Sequence, residues 1–258
     1  MKVYTLEDYT LPEKPEILFW VGCAGSFDPR AQKITKALVT ILNNAGIKYA
    51  VLGNDESCTG DPARRAGNEF LFQMMALQNI ETIKMTEVNK IVTACPHCFN
   101  TIKNEYPALG GEFEVMHHTV LIQQLIDEGK ITIEKGAFEG KKIAYHDSCY
   151  LGRVNDIYEA PRAILEQLDT TILEAKRNRS KGFCCGAGGS QVFKEEEKSD
   201  KKVNHERVEE LLDTGADIIA ANCPYCILMV NDGVKSKEKE ESVSTYDLSE
   251  LIVQANKW

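Results

Sequence analysis

Two nine-residue stretches are the strongest indication of the fold: KIVTACPHC at 90–98 and IIAANCPYC at 218–226. In each, a short run of β-branched and small apolar residues, typical of a buried strand, leads into a Cys-Pro-x-Cys motif. A segment with apolar residues at helical spacing follows each motif. The two copies lie 128 residues apart, which indicates an internal duplication.

The nine cysteines share this repeat. They form two sets, Cys23, Cys58, Cys95 and Cys98, then Cys149, Cys184, Cys185, Cys223 and Cys226. Corresponding members are 126 or 128 residues apart, so the chain is a tandem duplication of about 126 residues. One position differs, because Thr59 stands where the second half has Cys185. The first set therefore has four thiols and the second has five.

Each half alternates strand-length and helix-length segments, which predicts an α/β fold with a parallel sheet. We predict strands at 17–21, 48–52, 90–94 and 113–116, then at 142–145, 171–174, 217–221 and 243–246. Helices are predicted at 31–44, 67–86, 99–105 and 120–128, then at 158–168, 204–214, 227–232 and 248–255. The expected architecture is two tandem homologous domains, 15–132 and 140–258, each a four-stranded mostly parallel sheet flanked by helices, related by a pseudo-twofold axis.

Most of the cysteines follow shortly after a predicted strand. In open parallel sheets, the loops at the carboxyl ends of the strands form the binding crevice. Cysteines that are distant in sequence should therefore converge at one edge of each sheet. We predict two separate sites, one in each half.

The cysteine sets favour metal binding. Nine cysteines are too few for a disulfide scaffold, and an odd number cannot pair completely within one chain. Four thiolates suit a tetrahedral zinc ion or a four-iron cluster, whereas five exceed what one zinc ion can use. The alternatives are buried structural cysteines, a zinc-binding structural or assembly module without redox turnover, and a thiol-disulfide oxidoreductase that uses the C-P-x-C pairs.

The second set also carries a family resemblance. Cys149, the Cys184-Cys185-Gly186 triplet and the pair Cys223 and Cys226 resemble the cysteine-rich "CCG" domain of heterodisulfide reductase catalytic subunits. That domain also occurs in the iron-sulfur subunits of lactate-utilisation and glycolate-oxidase systems. The resemblance covers about residues 15–256 and implies an iron-sulfur oxidoreductase subunit that exchanges electrons with a disulfide, a thiol or another redox partner.

The resemblance implies different cofactors in the two halves. The five cysteines of the second half would hold a non-cubane four-iron cluster and form the catalytic centre. The first half departs from the family pattern at Thr59. That departure favours an ordinary four-iron cluster or zinc, bound by Cys23, Cys58, Cys95 and Cys98.

Composition and missing motifs bear on partners. The chain has 30 Lys and Arg against 39 Asp and Glu, a net charge of −9, which argues against nucleic acid as a partner. Its apolar runs are far shorter than a membrane span, and its first residues do not form a secretory signal, so we expect a cytoplasmic location. No ferredoxin-type cysteine run is present, so electrons would enter from a ferredoxin-like or quinone-linked subunit. Such a partner would also allow peripheral association with a membrane complex.

Four further features give testable expectations. His146 precedes Cys149 by three residues and is a tentative catalytic group that would donate a proton or orient a disulfide. His97 is expected to face solvent or the first site. The helix face with Phe70, Met74, Leu77 and Ile80 to Ile83 is expected in the core. The charged run at 194–202 is expected to be solvated surface.

Overall fold

The computed structural model describes residues 1–10, 12–195 and 199–258. Residues 196–198, within the charged run predicted as surface, lie outside the described residues. The chain divides into two compact units, Met1–Ile131 and Thr132–Trp258. No described helix combines the length and apolar character that a membrane crossing requires.

The first unit is an α/β layer structure with four strands. Its elements are β1 (Ile17–Trp20), α1 (Gly22–Phe27), α2 (Ala31–Asn44), β2 (Tyr49–Ala50), α3 (Asp61–Arg65), α4 (Glu69–Met85), β3 (Lys90–Thr93), α5 (Pro96–Asn100), β4 (Glu114–His117) and α6 (His118–Asp127). The strand order is β2-β1-β3-β4, and every pairing is parallel.

The second unit repeats this plan. Its elements are β5 (Lys142–His146), α7 (Glu159–Glu166), β6 (Thr171–Glu174), α8 (Val203–Leu212), β7 (Ile218–Ala221), α9 (Pro224–Ser236), β8 (Ser244–Asp247) and α10 (Leu248–Asn256). The order β6-β5-β7-β8 is again parallel throughout. The predicted fold class of two repeated four-stranded parallel sheets flanked by helices is confirmed.

The strand order determines where a site can form. From the first strand of each unit, the chain crosses to one side to add the second strand and then returns to add the third on the other side. A crevice opens at such a switch point, outside the carboxyl ends of the two central strands. In these units the crevices lie beyond β1 and β3, and beyond β5 and β7.

The C-P-x-C motifs begin helices at these crevices. Cys95 and Cys223 have extended backbone and occupy the N-cap position, and the following proline begins α5 or α9. Proline is favoured there because its missing N–H would have no partner within the helix. The second cysteine of each motif consequently lies in the first helical turn, earlier than the predicted helix starts at 99 and 227.

The face that α4 buries differs in part from the prediction. Ile80 and Ile83 are buried as predicted, but Phe70, Met74 and Leu77 are exposed. Phe72 and Ala76 are buried instead. The helix has apolar residues around most of its circumference, so spacing alone did not identify the buried side. Asn79 lies on that buried side and is itself buried.

Candidate metal centres

The second unit brings all five of its cysteines together. Thiol–thiol contacts connect Cys149 to Cys184, Cys184 to Cys185, Cys185 to Cys226 and Cys226 to Cys223. Cys185, Cys223 and Cys226 are buried, and the other two are partly exposed. The five sulfurs come from the three segments that follow β5, β6 and β7, with Cys226 in the first turn of α9. All five lie at the edge of the sheet that the sequence predicted.

The first unit assembles its four cysteines in the same way. Cys58 contacts Cys23, Cys95 contacts Cys98, and the two pairs are close enough to affect each other's charge. Cys95 and Cys98 are buried, whereas Cys23 and Cys58 are partly exposed. Cys23 lies on α1, a short helix that the sequence did not predict. We call the four-cysteine group the first centre and the five-cysteine group the second centre.

A backbone amide supports one sulfur in each centre. The amide of Gly60 donates to the Cys58 sulfur at 3.5 Å, and that of Gly186 donates to the Cys184 sulfur at 3.3 Å. Both glycines have positive φ, +89° and +93°, a conformation that other residues rarely adopt. Such N–H to sulfur bonds stabilise a thiolate.

Protonation of the thiols is strongly perturbed. The pKa of Cys184 is lowered to about 2, because the thiols of Cys149 and Cys185 donate hydrogen bonds to it. The pKa of Cys185 rises to about 12, since it donates to Cys184 and is buried. The pKa of Cys226 is raised by its bonds to neighbouring thiols and by burial. One thiolate can therefore form within the group, but several together require a compensating cation.

The donor set fits an iron-sulfur group. None of the nine cysteines forms a disulfide, and soft thiolate ligands select iron-sulfur clusters, zinc or copper(I). Four convergent sulfurs in the first centre match a four-coordinate site. Five in the second centre exceed the tetrahedral shell of one zinc ion.

The turn that carries Cys58 is held by a buried polar network. The Asn79 amide on α4 donates to the Cys58 carbonyl at 2.9 Å and to the Tyr106 hydroxyl at 3.0 Å. The Tyr106 hydroxyl in turn donates to the Thr59 carbonyl at 3.1 Å. Because an unpaired buried carbonyl is costly, these bonds fix the loop and so the position of the first-centre sulfur.

In the second unit, an ion-pair network holds the loop that leads to Cys149. Arg162 binds Asp147 through two bonds, of 2.9 and 3.0 Å. It also binds Glu174 on β6 at 2.6 and 3.0 Å. Asp147 accepts a further bond from the Arg179 amide at 2.7 Å. Sequence reasoning did not find Arg162, which lies 15 residues from Asp147 along the chain.

Two histidines have defined surroundings. His146 ends β5 and is buried, with a ring nitrogen within 4.8 Å of the ligand atoms of Cys185 and Cys226. Burial and the nearby charge of Arg207 lower its pKa to about 3. His97 is buried and pairs with Asp61 at 2.9 Å, so of its two expected surroundings, solvent and the first site, solvent is wrong.

Both cysteine repeats match one known protein family. Residues 17–103 and 143–231 each match the CCG cysteine-rich domain family. The chain belongs to the CCG cysteine-rich domain family. Two copies of the domain lie in one chain, and each contributes one centre to this CCG protein.

Relatives of the CCG chain include several redox proteins. It is 46% identical over 241 residues to "Probable iron-sulfur-binding oxidoreductase FadF" of Bacillus subtilis, covering 93% of this chain and 34% of the relative. It is 42% identical over 246 residues to "EtfAB:quinone oxidoreductase" of Syntrophomonas wolfei, covering 93% and 34%. It is 32% identical over 255 residues to a subunit of the dihydromethanophenazine:CoB--CoM heterodisulfide reductase of Methanosarcina barkeri, covering 96% and 61%.

The CCG chain spans about a third of the length of the first two relatives and 61% of the third. Among solved structures, a hypothetical protein from Helicobacter pylori matches with a TM-score of 0.60 at 12% identity, covering 94% of this chain and 49% of that one. That likeness concerns the fold alone.

Proposed function

We propose that this CCG chain binds two iron-sulfur clusters and works as the electron-transferring part of an iron-sulfur oxidoreductase. The observation that carries the proposal is the convergence of four and five thiols at the switch points of two repeated sheets. An iron-sulfur cluster supplies one-electron transfer. The names of two relatives, an iron-sulfur-binding oxidoreductase and a heterodisulfide reductase subunit, support the same class.

The two centres have different proposed cofactors. Cys149, Cys184, Cys185, Cys223 and Cys226 would hold a non-cubane four-iron cluster in the second centre, because a fifth thiol is available beside the usual four. Cys23, Cys58, Cys95 and Cys98 would hold an ordinary four-iron cluster in the first centre, with zinc as the competing ion. We place the catalytic exchange with a disulfide or thiol at the second centre and assign the first to relay or structure.

The proposed domains are 15–132 and 140–258, one for each centre. A ferredoxin-like or quinone-linked subunit would donate or accept the electrons. This partner class is supported by a relative named as a quinone oxidoreductase and by another, from Chromohalobacter salexigens, named "Probable membrane-anchored ferredoxin". Association with a membrane would then occur through that partner.

Burial argues against a thiol-disulfide oxidoreductase that uses the C-P-x-C pairs. Such enzymes need an accessible cysteine of low pKa. Here Cys95, Cys98, Cys223 and Cys226 are all buried, and the pKa values of Cys98 and Cys226 are raised by contact with neighbouring thiols and by burial.

The test is metal and sulfide analysis of anaerobically purified protein. Two four-iron clusters predict about eight iron and eight sulfide per chain, a brown colour and an EPR signal. Cys185→Ala should change the iron content or spectrum of the second centre and leave the first unchanged. A colourless protein that contains only zinc would overturn the proposal. An unaltered spectrum in Cys185→Ala would overturn the five-cysteine assignment alone.

A further inference from the structure

His146 lies at the second centre, and one of its two ring nitrogens makes no hydrogen bond to the described residues. It ends β5, where it pairs in register with Ala221, two residues before Cys223. Its ring brings a nitrogen within 4.8 Å of the sulfurs of Cys185 and Cys226. Among the described residues, its Nε2 is buried and has no hydrogen-bond partner. At this position, His146 is either a ligand of a metal in the second centre or a hydrogen-bond donor to a group bound there.

The buried Arg207 on α8 decides between these roles. Its Nε donates to His146 Nδ1 at 2.9 Å. The guanidinium is fully buried and is held by the Arg177 carbonyl at 2.9 Å and by Glu210 at 3.2 Å. Arginine is always protonated and only donates, so Nδ1 of His146 must accept with its lone pair. The single proton of the neutral ring is therefore on Nε2.

A protonated Nε2 cannot bind a metal, because ligation needs its lone pair. Moving the proton to Nδ1 would set two N–H donors against each other at 2.9 Å. A buried N–H left without an acceptor is costly, so the Nε2 proton requires one within the site.

We infer that His146 donates a hydrogen bond from Nε2 to a sulfur of the second-centre cluster, and that Arg207 fixes the tautomer that makes this bond. The inference rests on the proposed function, in that the second centre holds an iron-sulfur cluster. His146 thus touches the cofactor without ligating it, and Arg207 is a positioning residue. Hydrogen bonds to cluster sulfurs stabilise the reduced, more negative state and raise the reduction potential.

The first unit presents a ring N–H at the matching position. Trp20 ends β1 and pairs in register with Thr93, two residues before Cys95. It is fully buried, and its Nε1 has no hydrogen-bond partner among the described residues. An indole nitrogen can only donate. The same strand end therefore carries a buried ring donor in both units, although the two side chains differ.

The experiment uses the full chain, purified anaerobically and labelled with 15N-histidine. In the reduced wild type, we expect weak nitrogen hyperfine coupling to the second cluster, as for a hydrogen-bonded ring. Strong coupling typical of an iron-bound nitrogen would overturn the inference. This readout needs no activity and no variant, so a folding failure cannot obscure it.

Reduction potentials supply the second test. His146→Leu should lower the equilibrium constant for reduction of the second cluster about tenfold, or about 59 mV for a one-electron couple, in an EPR-monitored titration. His146→Gln, which keeps an N–H, should restore part of the shift. Arg207→Met should shift the potential in the same direction, and Arg207→Lys less so. Trp20→Phe is the matched control and should alter only the first centre.

The outcomes separate this inference from the proposed function. If the wild type contains no iron, the proposed function fails. If the wild type has both clusters but His146→Leu leaves the potential of the second unchanged, the hydrogen bond is absent and the inference alone fails. If His146→Leu loses iron, the nitrogen coupling in the wild type still decides between donor and ligand.

Discussion

The Thr59 hydroxyl oxygen lies 3.9 Å from the Cys98 sulfur, and both side chains are buried. In the second unit, Cys185 makes the corresponding contact with Cys226. The two turns match in detail, since Gly60 and Gly186 each donate an amide to the cysteine two residues before. The two sets of cysteine positions therefore differ by one residue, Thr59 against Cys185.

Thr59→Cys should give the first centre a fifth thiol in a place already shaped for a side chain of this size. We expect a change in the EPR signal or absorbance of the first centre toward that of the second. Thr59→Ser is the control, because it keeps the hydroxyl and should leave the spectrum unchanged. If the EPR signals and absorbance of the two centres differ as much in Thr59→Cys as in the wild type, the fifth thiol does not set the cluster type.

Gly22→Ala should damage the first centre. Gly22 has φ +78°, and an added Cβ would lie 3.3 Å from the Cys98 sulfur. We expect reduced iron in the first centre, measured per chain beside an intact second-centre signal. Gly46→Ala is a matched control, because Gly46 has φ +66° and an added Cβ there meets nothing within 4 Å. Both variants carry similar backbone strain, of about 1–2 kcal/mol, so equal iron loss in the two would refute a specific effect on Cys98.

Tyr106→Phe should destabilise the first unit. The change removes the donor to the buried Thr59 carbonyl and the acceptor for Asn79. An unsatisfied buried group costs about 1–3 kcal/mol of unfolding free energy, which thermal unfolding of the first unit should detect. Tyr9→Phe, which removes a half-buried bond to the Tyr49 carbonyl elsewhere in this unit, should leave the cluster signal unchanged. If Tyr106→Phe and Tyr9→Phe change the first-centre spectrum equally, Tyr106 has no specific role at that centre.

Cys98→Ser and Cys226→Ser should each remove iron from one centre only. Each side chain is buried in contact with the other thiols of its own unit, so its loss leaves a gap in one ligand set. Iron analysis with EPR distinguishes the centres, and the two variants serve as controls for each other. Full iron in both variants would favour a thiol-disulfide function for the C-P-x-C pairs.

Sequence periodicity predicted the architecture well, because buried parallel strands are short apolar runs between helices. Each of the eight predicted strands corresponds to an observed one, and the helix predicted at 31–44 is Ala31–Asn44. The cysteine repeat likewise predicted which thiols meet, since parallel strands place their following loops at one edge. These features depend on local patterns and on topology.

Features that depend on packing were harder to predict. The short helix that carries Cys23 contains glycines and a serine, so it has no helical signature. The exposed Phe70 and Met74 show that an apolar residue on an apolar helix need not face the core. The sequence contains one signal for Arg207: this charged residue lies beside Val208 and one turn before Leu211, on the side of α8 that is buried.

The contact between Arg207 and His146 could not be predicted from the sequence. The two residues are 61 positions apart, and no spacing rule connects them. The sequence placed His146 near the second centre but did not determine its tautomer. The tautomer follows from the position of the Arg207 Nε atom beside His146 Nδ1.

The duplication has a consequence for how the protein matures. All four thiols of the first centre lie within the first 98 residues, and the first unit ends at Ile131. During synthesis, the ribosome therefore completes one full ligand set before it begins the strands of the second unit. Metallation of the first centre need not wait for the rest of the chain, so the two centres can be loaded in sequence.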